Sequence, residues 1–239
     1  KPLRDHQALT FDCYGTLIDW DNGIGLWLEN WASFKGIVAA TPDLLEEFAG
    51  YQCAEQARTP FQPYRTVLGN ALRAMGSRAG ISVSDGEADE FAATAGTWPP
   101  FDDTLGALEQ LKSQGRLLGV ISNVDNDLFA GTQALLGHPF DIVITAQDVQ
   151  SYKPATPHFD ALRERLAEQG IGEDAILHVA RSKFHDIKTA NERGWANVWV
   201  NRRHGLPGRG VGLPSDAEPM WIVASMAECV ALLAEVDPA

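Results

Sequence analysis

Ala8-Leu9-Thr10-Phe11-Asp12-Cys13-Tyr14-Gly15-Thr16-Leu17-Ile18-Asp19-Trp20 is the stretch around which this chain is organised. Its first four residues are apolar or β-branched and predict a short buried strand. Asp12 stands where that run stops, and Gly15 lets the backbone turn sharply after it. In open α/β sheets ligands bind at the carboxyl ends of the strands. A carboxylate there reads as a nucleophile, a base or a metal ligand. A turn aspartate is the plainer reading of the same pattern, and the remainder of the chain has to decide between them.

Downstream of Trp20 the texture changes, and from about Asp21 to Trp98 there is no convincing strand. Ile24, Trp27, Leu28, Trp31 and Phe34 recur at the spacing of one helix face. Thr41 and Pro42 predict a second helix, with Thr41 as N-cap, running to about Gln56. Pro63 to Arg78 reads as a third helix. Ser84, followed three residues later by Glu87, predicts a fourth that opens with a capping box. Trp98-Pro99-Pro100-Phe101 closes this block, and strands then alternate with helices. Strands are expected at Arg116–Ile121, Phe140–Thr145, Ala175–Val179 and Asn197–Val200, with a short one at Trp221–Val223. Helices are expected at Asp103–Gln114, Asn126–Leu136, Thr156–Gln169, the segment ending at Arg193, and Met226–Glu235. A Gly/Pro-rich loop, Gly205 to Pro214, precedes the last strand. This rhythm predicts the α/β class: a doubly wound, parallel-sheet (Rossmann-like) core of residues 1–20 and 99–239, with residues 21–98 inserted as an all-helical domain.

Composition narrows the function classes. The 239 residues carry a formal charge of −13, which argues against nucleic acid and anionic membrane surfaces as partners. No apolar run is long enough to span a membrane, and Lys1 to Gln7 lacks the apolar core of a signal peptide. The three cysteines, Cys13, Cys53 and Cys229, form neither a metal spacing nor a disulfide framework. That usage points to a reducing compartment, and a cytoplasmic location is expected.

Polar residues follow four of the predicted strands: Asp12, Ser122-Asn123, Lys153, and the segment Arg181 to Asp186. Brought to one edge of one sheet, they mark a site. The order D-x-x-G-T, S-N, K-P and an Asp-containing fourth segment resembles the haloacid dehalogenase-like hydrolase superfamily, and the helical insert looks like that superfamily's cap domain. Phosphatase members carry an acid two residues after the nucleophile, where this chain has Tyr14. They also carry an acidic Mg²⁺ ligand at the start of the fourth motif, where this chain has Arg181. The D-x-Y-G-T form is similar to that of the L-2-haloacid dehalogenases, whose halide leaving group needs no proton.

That resemblance implies a metal-independent, cofactor-free hydrolase acting on a small anionic 2-haloacid, and a homodimer. Asp12 would displace the halide and form an ester that water then hydrolyses. Lys153 would keep Asp12 ionised, and Thr16 and Ser122 would hydrogen-bond Asp12 or the substrate carboxylate. Asp186 would orient or activate the water. Tyr14 would wall the site, Asn123 would contact the halide, and Arg181 and Ser182 would face the substrate. The family's halide-binding cap arginine has no counterpart between Val38 and Glu47; Arg58 and Arg65 lie further on, and Arg65 is the candidate to reach the site. Phe159 and Lys183 stand where the dehalogenases carry Tyr and Asn. His185, beside Asp186, reads as a base or, more commonly for a histidine in a first helical turn, as a surface residue; Trp20, Trp27, Trp31 and Phe61 read as the lining of an apolar pocket or, for most of them, as packing. A Mg²⁺-dependent phosphatase-type hydrolase and a non-catalytic member of the fold, with Arg181 tying up Asp12, remain as alternatives.

Overall fold

A computed structural model describes residues 2–205 and 211–234. Residues 206–210 of the Gly/Pro-rich loop, and Glu235 at the end of the last predicted helix, lie outside the described residues. Six strands form one parallel sheet: β1 (Ala8–Phe11), β2 (Leu117–Ser122), β3 (Ile142–Thr145), β4 (Ile176–Ala180), β5 (Ala196–Val200) and β6 (Trp221–Val223). Their order across the sheet is β3-β2-β1-β4-β5-β6. All four residues of β1 are buried, as are all five of β4. Near-continuous apolar strands of this kind need helices on both faces of the sheet.

The insert supplies α1 (Trp20–Phe34), α2 (Thr41–Gln56), α3 (Tyr64–Arg78) and α4 (Asp85–Thr94). The core supplies α5 (Thr104–Ser113), α6 (Asn126–Leu135), a one-turn α7 (Ala146–Val149), α8 (Pro157–Ala167), α9 (Lys188–Glu192) and α10 (Met226–Ala234). One hydrophobic cluster runs from one face of the sheet into the insert, joining Leu9, Phe11 and Val179 to Ile24, Phe48, Leu68 and Phe91. The other face packs Ile121 and Ile144 against Phe159, Leu162 and Trp195. Within the insert, Trp27 stacks on Trp31 and lies 4.6 Å from the Phe91 ring, which is the packing role expected of both tryptophans.

The elements match the sequence reading closely, with specific exceptions. Thr41 is the first residue of α2 rather than its cap; Ala40 holds the cap position and no side chain closes that end. The Ser84–Glu87 capping box forms in both directions. The segment before α9 opens as a π-turn over Lys183–Ile187, where an ordinary helix start was expected. The chain leaves and re-enters the core side by side: Ile18 bridges Pro100, and Asp19 N–H donates to the Pro99 carbonyl at 2.8 Å.

Strand order reverses between β1 and β4, which lie side by side although 164 residues separate the end of one from the start of the other. Their carboxyl ends flank the crevice where ligands bind in open sheets of this kind.

Candidate active site

Asp12 leaves the end of β1 with its backbone N–H still bonded to Val179 of β4. Gly15 adopts φ +87°, and a β-carbon there would lie 3.0 Å from the Arg181 side chain. Both the turn and the close approach therefore require glycine. The turn brings the Thr16 hydroxyl back to donate to Asp12 Oδ2 at 2.7 Å, while Thr16 Oγ1 itself accepts from the Arg181 backbone N–H at 2.8 Å.

Lys153 sits behind Asp12. Its ammonium donates to Asp12 Oδ1 at 2.9 Å, Asp186 Oδ1 at 2.7 Å and the Ile121 carbonyl at 3.0 Å, which uses all three of its protons. Burial would lower its pKa, but the two carboxylates outweigh burial and raise it. Burial would likewise raise Asp186, yet Lys153 and the His178 Nε2–H at 3.2 Å hold it well below the usual carboxylate range. Asp12 shifts upward: burial pushes it up and Asp186 adds to this, while Lys153 and the Thr16 hydrogen bond pull against them.

A cavity of about 320 Å³ opens onto Asp12. Tyr14, Trp20, Ser122, Asn123, Lys153, Arg181 and Ser182 line it, so most of the residues read from the sequence converge on one space. Ser122 Oγ has no hydrogen-bond partner among the described residues. The Tyr14 hydroxyl lies 2.8 Å from Thr132 Oγ1, and burial drives its pKa well above the ordinary phenol value, so it stays neutral.

Asn123, in the cavity wall as expected, also holds the Lys153 backbone with both ends of its amide, accepting from Lys153 N–H at 2.7 Å and donating to its carbonyl at 3.1 Å. Two expectations need correction. Arg65 does not line the cavity: its guanidinium bonds Asp127 of α6 at 2.6 Å on the outside of the molecule. Asp186 is fully buried behind Lys153 and is not part of the cavity wall.

The wall also contains groups that the sequence reading did not assign to it. Lys183 and Arg203 add two cations, so among the described residues four cationic side chains line the cavity against one carboxylate, Asp12. Lys183 lies 4.7 Å over the Trp199 ring. Arg181 and Arg203 both bond Asp21 Oδ2 from α1, at 3.3 and 2.8 Å. Gln52 and Gln56 reach in from α2. His185 also faces the cavity instead of the surface. The signal for Lys183 and His185 was their closeness to Asp186; nothing local marked Arg203 or the glutamines.

This donor set does not suit Mg²⁺, which takes near-octahedral oxygen coordination. The two nearby carboxylates each hold the Lys153 ammonium, Arg181 stands at the mouth of the fourth segment, and no group of three His, Cys, Asp or Glu residues could hold a metal among the described residues.

A family model described as haloacid dehalogenase-like hydrolase matches residues 6–179. An (S)-2-haloacid dehalogenase of Pseudomonas putida is 24% identical over 228 residues, covering 95% of this chain and 96% of the relative. A solved dehalogenase with an intermediate complex superposes with a TM-score of 0.79 at 22% identity, covering 97% of this chain and 99% of the other. The L-2-haloacid dehalogenase of Xanthobacter autotrophicus with chloropropionic acid covalently bound superposes with a TM-score of 0.77 at 18% identity, covering 95% of this chain and 98% of the other.

Proposed function

Because the chain belongs to the haloacid dehalogenase-like hydrolase family, we propose that it hydrolyses the carbon–halogen bond of a small 2-haloalkanoic acid, giving the 2-hydroxy acid through an ester on Asp12. In this reading residues 1–20 and 99–239 form the catalytic core, and residues 21–98 form a cap over it. The observation that carries the proposal is the cavity at Asp12: a nucleophile held by Lys153 and Thr16, a cationic wall, and Tyr14 where an acid would stand.

The cationic wall of Arg181, Lys183 and Arg203 draws in the substrate carboxylate, and the unpartnered Ser122 hydroxyl donates to it. Asp12 attacks the halogen-bearing carbon from the side opposite the halogen. A C–O bond forms, the C–halogen bond breaks, and its electron pair leaves with the halide. No proton is needed for that departure, which is why a neutral phenol tied to Thr132 serves at position 14. Lys153 keeps Asp12 anionic and aimed, while Asp186 and Asn123 position Lys153. Water then cleaves the ester at the Asp12 carbonyl carbon. The relatives that share this fold include enzymes named for the same reaction.

Halide release from (S)-2-chloropropionate in EDTA tests the reading. Release is expected to persist in EDTA and to be lost in Asp12→Asn. Release that requires added Mg²⁺, or that survives the substitution, would overturn it.

A further inference from the structure

The dehalogenation reading leaves open which group takes the proton of the hydrolytic water, and the structure favours the second of the two candidates in the sequence, His185 over Asp186. Asp186 is poorly placed for it. Both of its contacts, to Lys153 and His178, fall on Oδ1; Oδ2 has no partner among the described residues, but the side chain is 0% exposed and forms no part of the cavity wall. Asp186 therefore presents no oxygen to the cavity, where water reaches the ester. His185 has the opposite situation. The π-turn over Lys183–Ile187 turns its ring into the cavity that Asp12 lines. Ser182 Oγ lies 3.0 Å from Nδ1 and accepts the His185 backbone N–H, also at 3.0 Å. The Phe184 ring stands edge-on to the imidazole, with centroids 5.0 Å apart. The ring is thus held at one nitrogen and along one edge, and Nε2 has no hydrogen-bond partner among the described residues. A base whose remote nitrogen is fixed by an orienting group is the arrangement that general-base catalysis uses.

Resting on the dehalogenase reading, we propose that His185 is the catalytic base of the second step, oriented by Ser182. With Nδ1–H donating to Ser182 Oγ, the Nε2 lone pair takes a proton from water as the water oxygen bonds to the Asp12 carbonyl carbon. The tetrahedral centre collapses by breaking its bond to the substrate oxygen, and the imidazolium returns its proton to that oxygen, releasing the 2-hydroxy acid. The Asp12 carboxylic acid left behind carries one oxygen from water. It ionises beside Lys153, and that proton passes to solvent, balancing the halide released in the first step. Burial lowers the His185 pKa to about 4, so the ring is neutral and able to accept a proton at neutral pH.

The test separates the two steps. His185→Gln and wild-type enzyme are mixed with (S)-2-chloropropionate, and halide is followed within the first turnover and at steady state, with intact-protein mass measured in parallel. His185→Gln is expected to release about one halide per active site and then to turn over roughly 10²–10⁴-fold more slowly than wild type, with the protein heavier by the mass of the substrate less its hydrogen halide. Ser182→Ala, which keeps the ring and loses its support, is expected to show the same burst with a smaller loss of turnover. Turnover within about threefold of wild type in His185→Gln would overturn the proposal. So would loss of the burst in that variant, because His185 would then be needed before the ester forms. Wild-type enzyme that releases no halide would overturn the dehalogenase reading, and the assignment of His185 with it.

Discussion

Asp12 is a carboxylate whose chemistry depends on two opposed influences, burial and the Lys153 ammonium. Its pKa lies above 3.8 because burial outweighs Lys153 and Thr16. As pH falls through that raised value the carboxylate gains a proton and cannot attack carbon. Activity toward a 2-haloacid is therefore expected to fall on the acid side, with the inflection in kcat/KM above pH 3.8. Halide departure is effectively irreversible, so kcat/KM reports only the steps up to ester formation, whereas titration of His185 enters kcat alone. A pH profile of halide release checks this, and an inflection at or below 3.8 would mean that burial does not govern the nucleophile. Asp12 and Thr16 were legible in the sequence because they sit just past the end of β1, and Lys153 because it opens a Lys-Pro pair in the loop between α7 and α8. Arg65 was misread because its partner, Asp127, is brought to it by the approach of α6 to α3, a contact 62 residues away in sequence. His185 was misread because a π-turn fits more residues into one turn than an α-helix and so changes which side chain faces the site.

At the scale of elements, strand and helix positions followed from periodicity, and the ends drifted by only a residue or two. What periodicity does not carry is how closely two elements approach. α6 lies against the turn at Ala95–Thr97 that ends the insert, and there two glycines meet. A β-carbon on Gly131 would fall 2.6 Å from the Gly96 carbonyl oxygen, and one on Gly96 would fall 3.1 Å from the Leu128 carbonyl oxygen. Neither obstacle is a side chain that can swing aside. Gly131 also sits inside a helix, where alanine is favoured by intrinsic propensity by about 1 kcal/mol. Packing should reverse that preference: Gly131→Ala is expected to destabilise the protein by about 1–3 kcal/mol, the usual cost of forced overpacking. Denaturant unfolding measures it, and a neutral or stabilised variant would show that the two elements part without cost. From the sequence alone Gly131 was one small residue on a helix, because the partner that makes it necessary lies 35 positions upstream.

For the molecule as a whole the question is what holds the inserted helices over the cavity. The insert was legible as a helical block, since four amphipathic stretches follow one strand without interruption. Its docking was not, because the decisive group lies on the core. Pro63 precedes α3 and no side chain of the insert caps that helix. The buried carboxylate of Asp125 caps it instead, accepting from Tyr64 N–H at 2.8 Å and Arg65 N–H at 2.9 Å. A carboxylate at a helix N-terminus satisfies orphan donors and complements the helix dipole together. Beside it the Tyr152 hydroxyl donates to the Gln62 carbonyl at 2.7 Å, and the Tyr152 ring packs on Phe61. Asp125→Ala removes two charge-assisted hydrogen bonds and leaves one buried and one partly buried N–H without an acceptor, so a loss of about 3 kcal/mol is expected in denaturant unfolding. The same change should reach the site. Gln52, Gln56 and Tyr64 line the cavity from the insert, whereas Asp12 and Lys153 belong to the core. A loosened insert therefore weakens substrate binding more than it disturbs the nucleophile, and KM for a 2-haloacid should rise several-fold while the single-turnover halide burst at saturating substrate stays close to wild type. Asp125→Asn, which keeps an acceptor but loses the charge, should fall between the two proteins in both measurements. An Asp125→Ala variant with unchanged stability and unchanged KM would mean that apolar contact at Phe61 and along the shared hydrophobic cluster suffices to seat the insert.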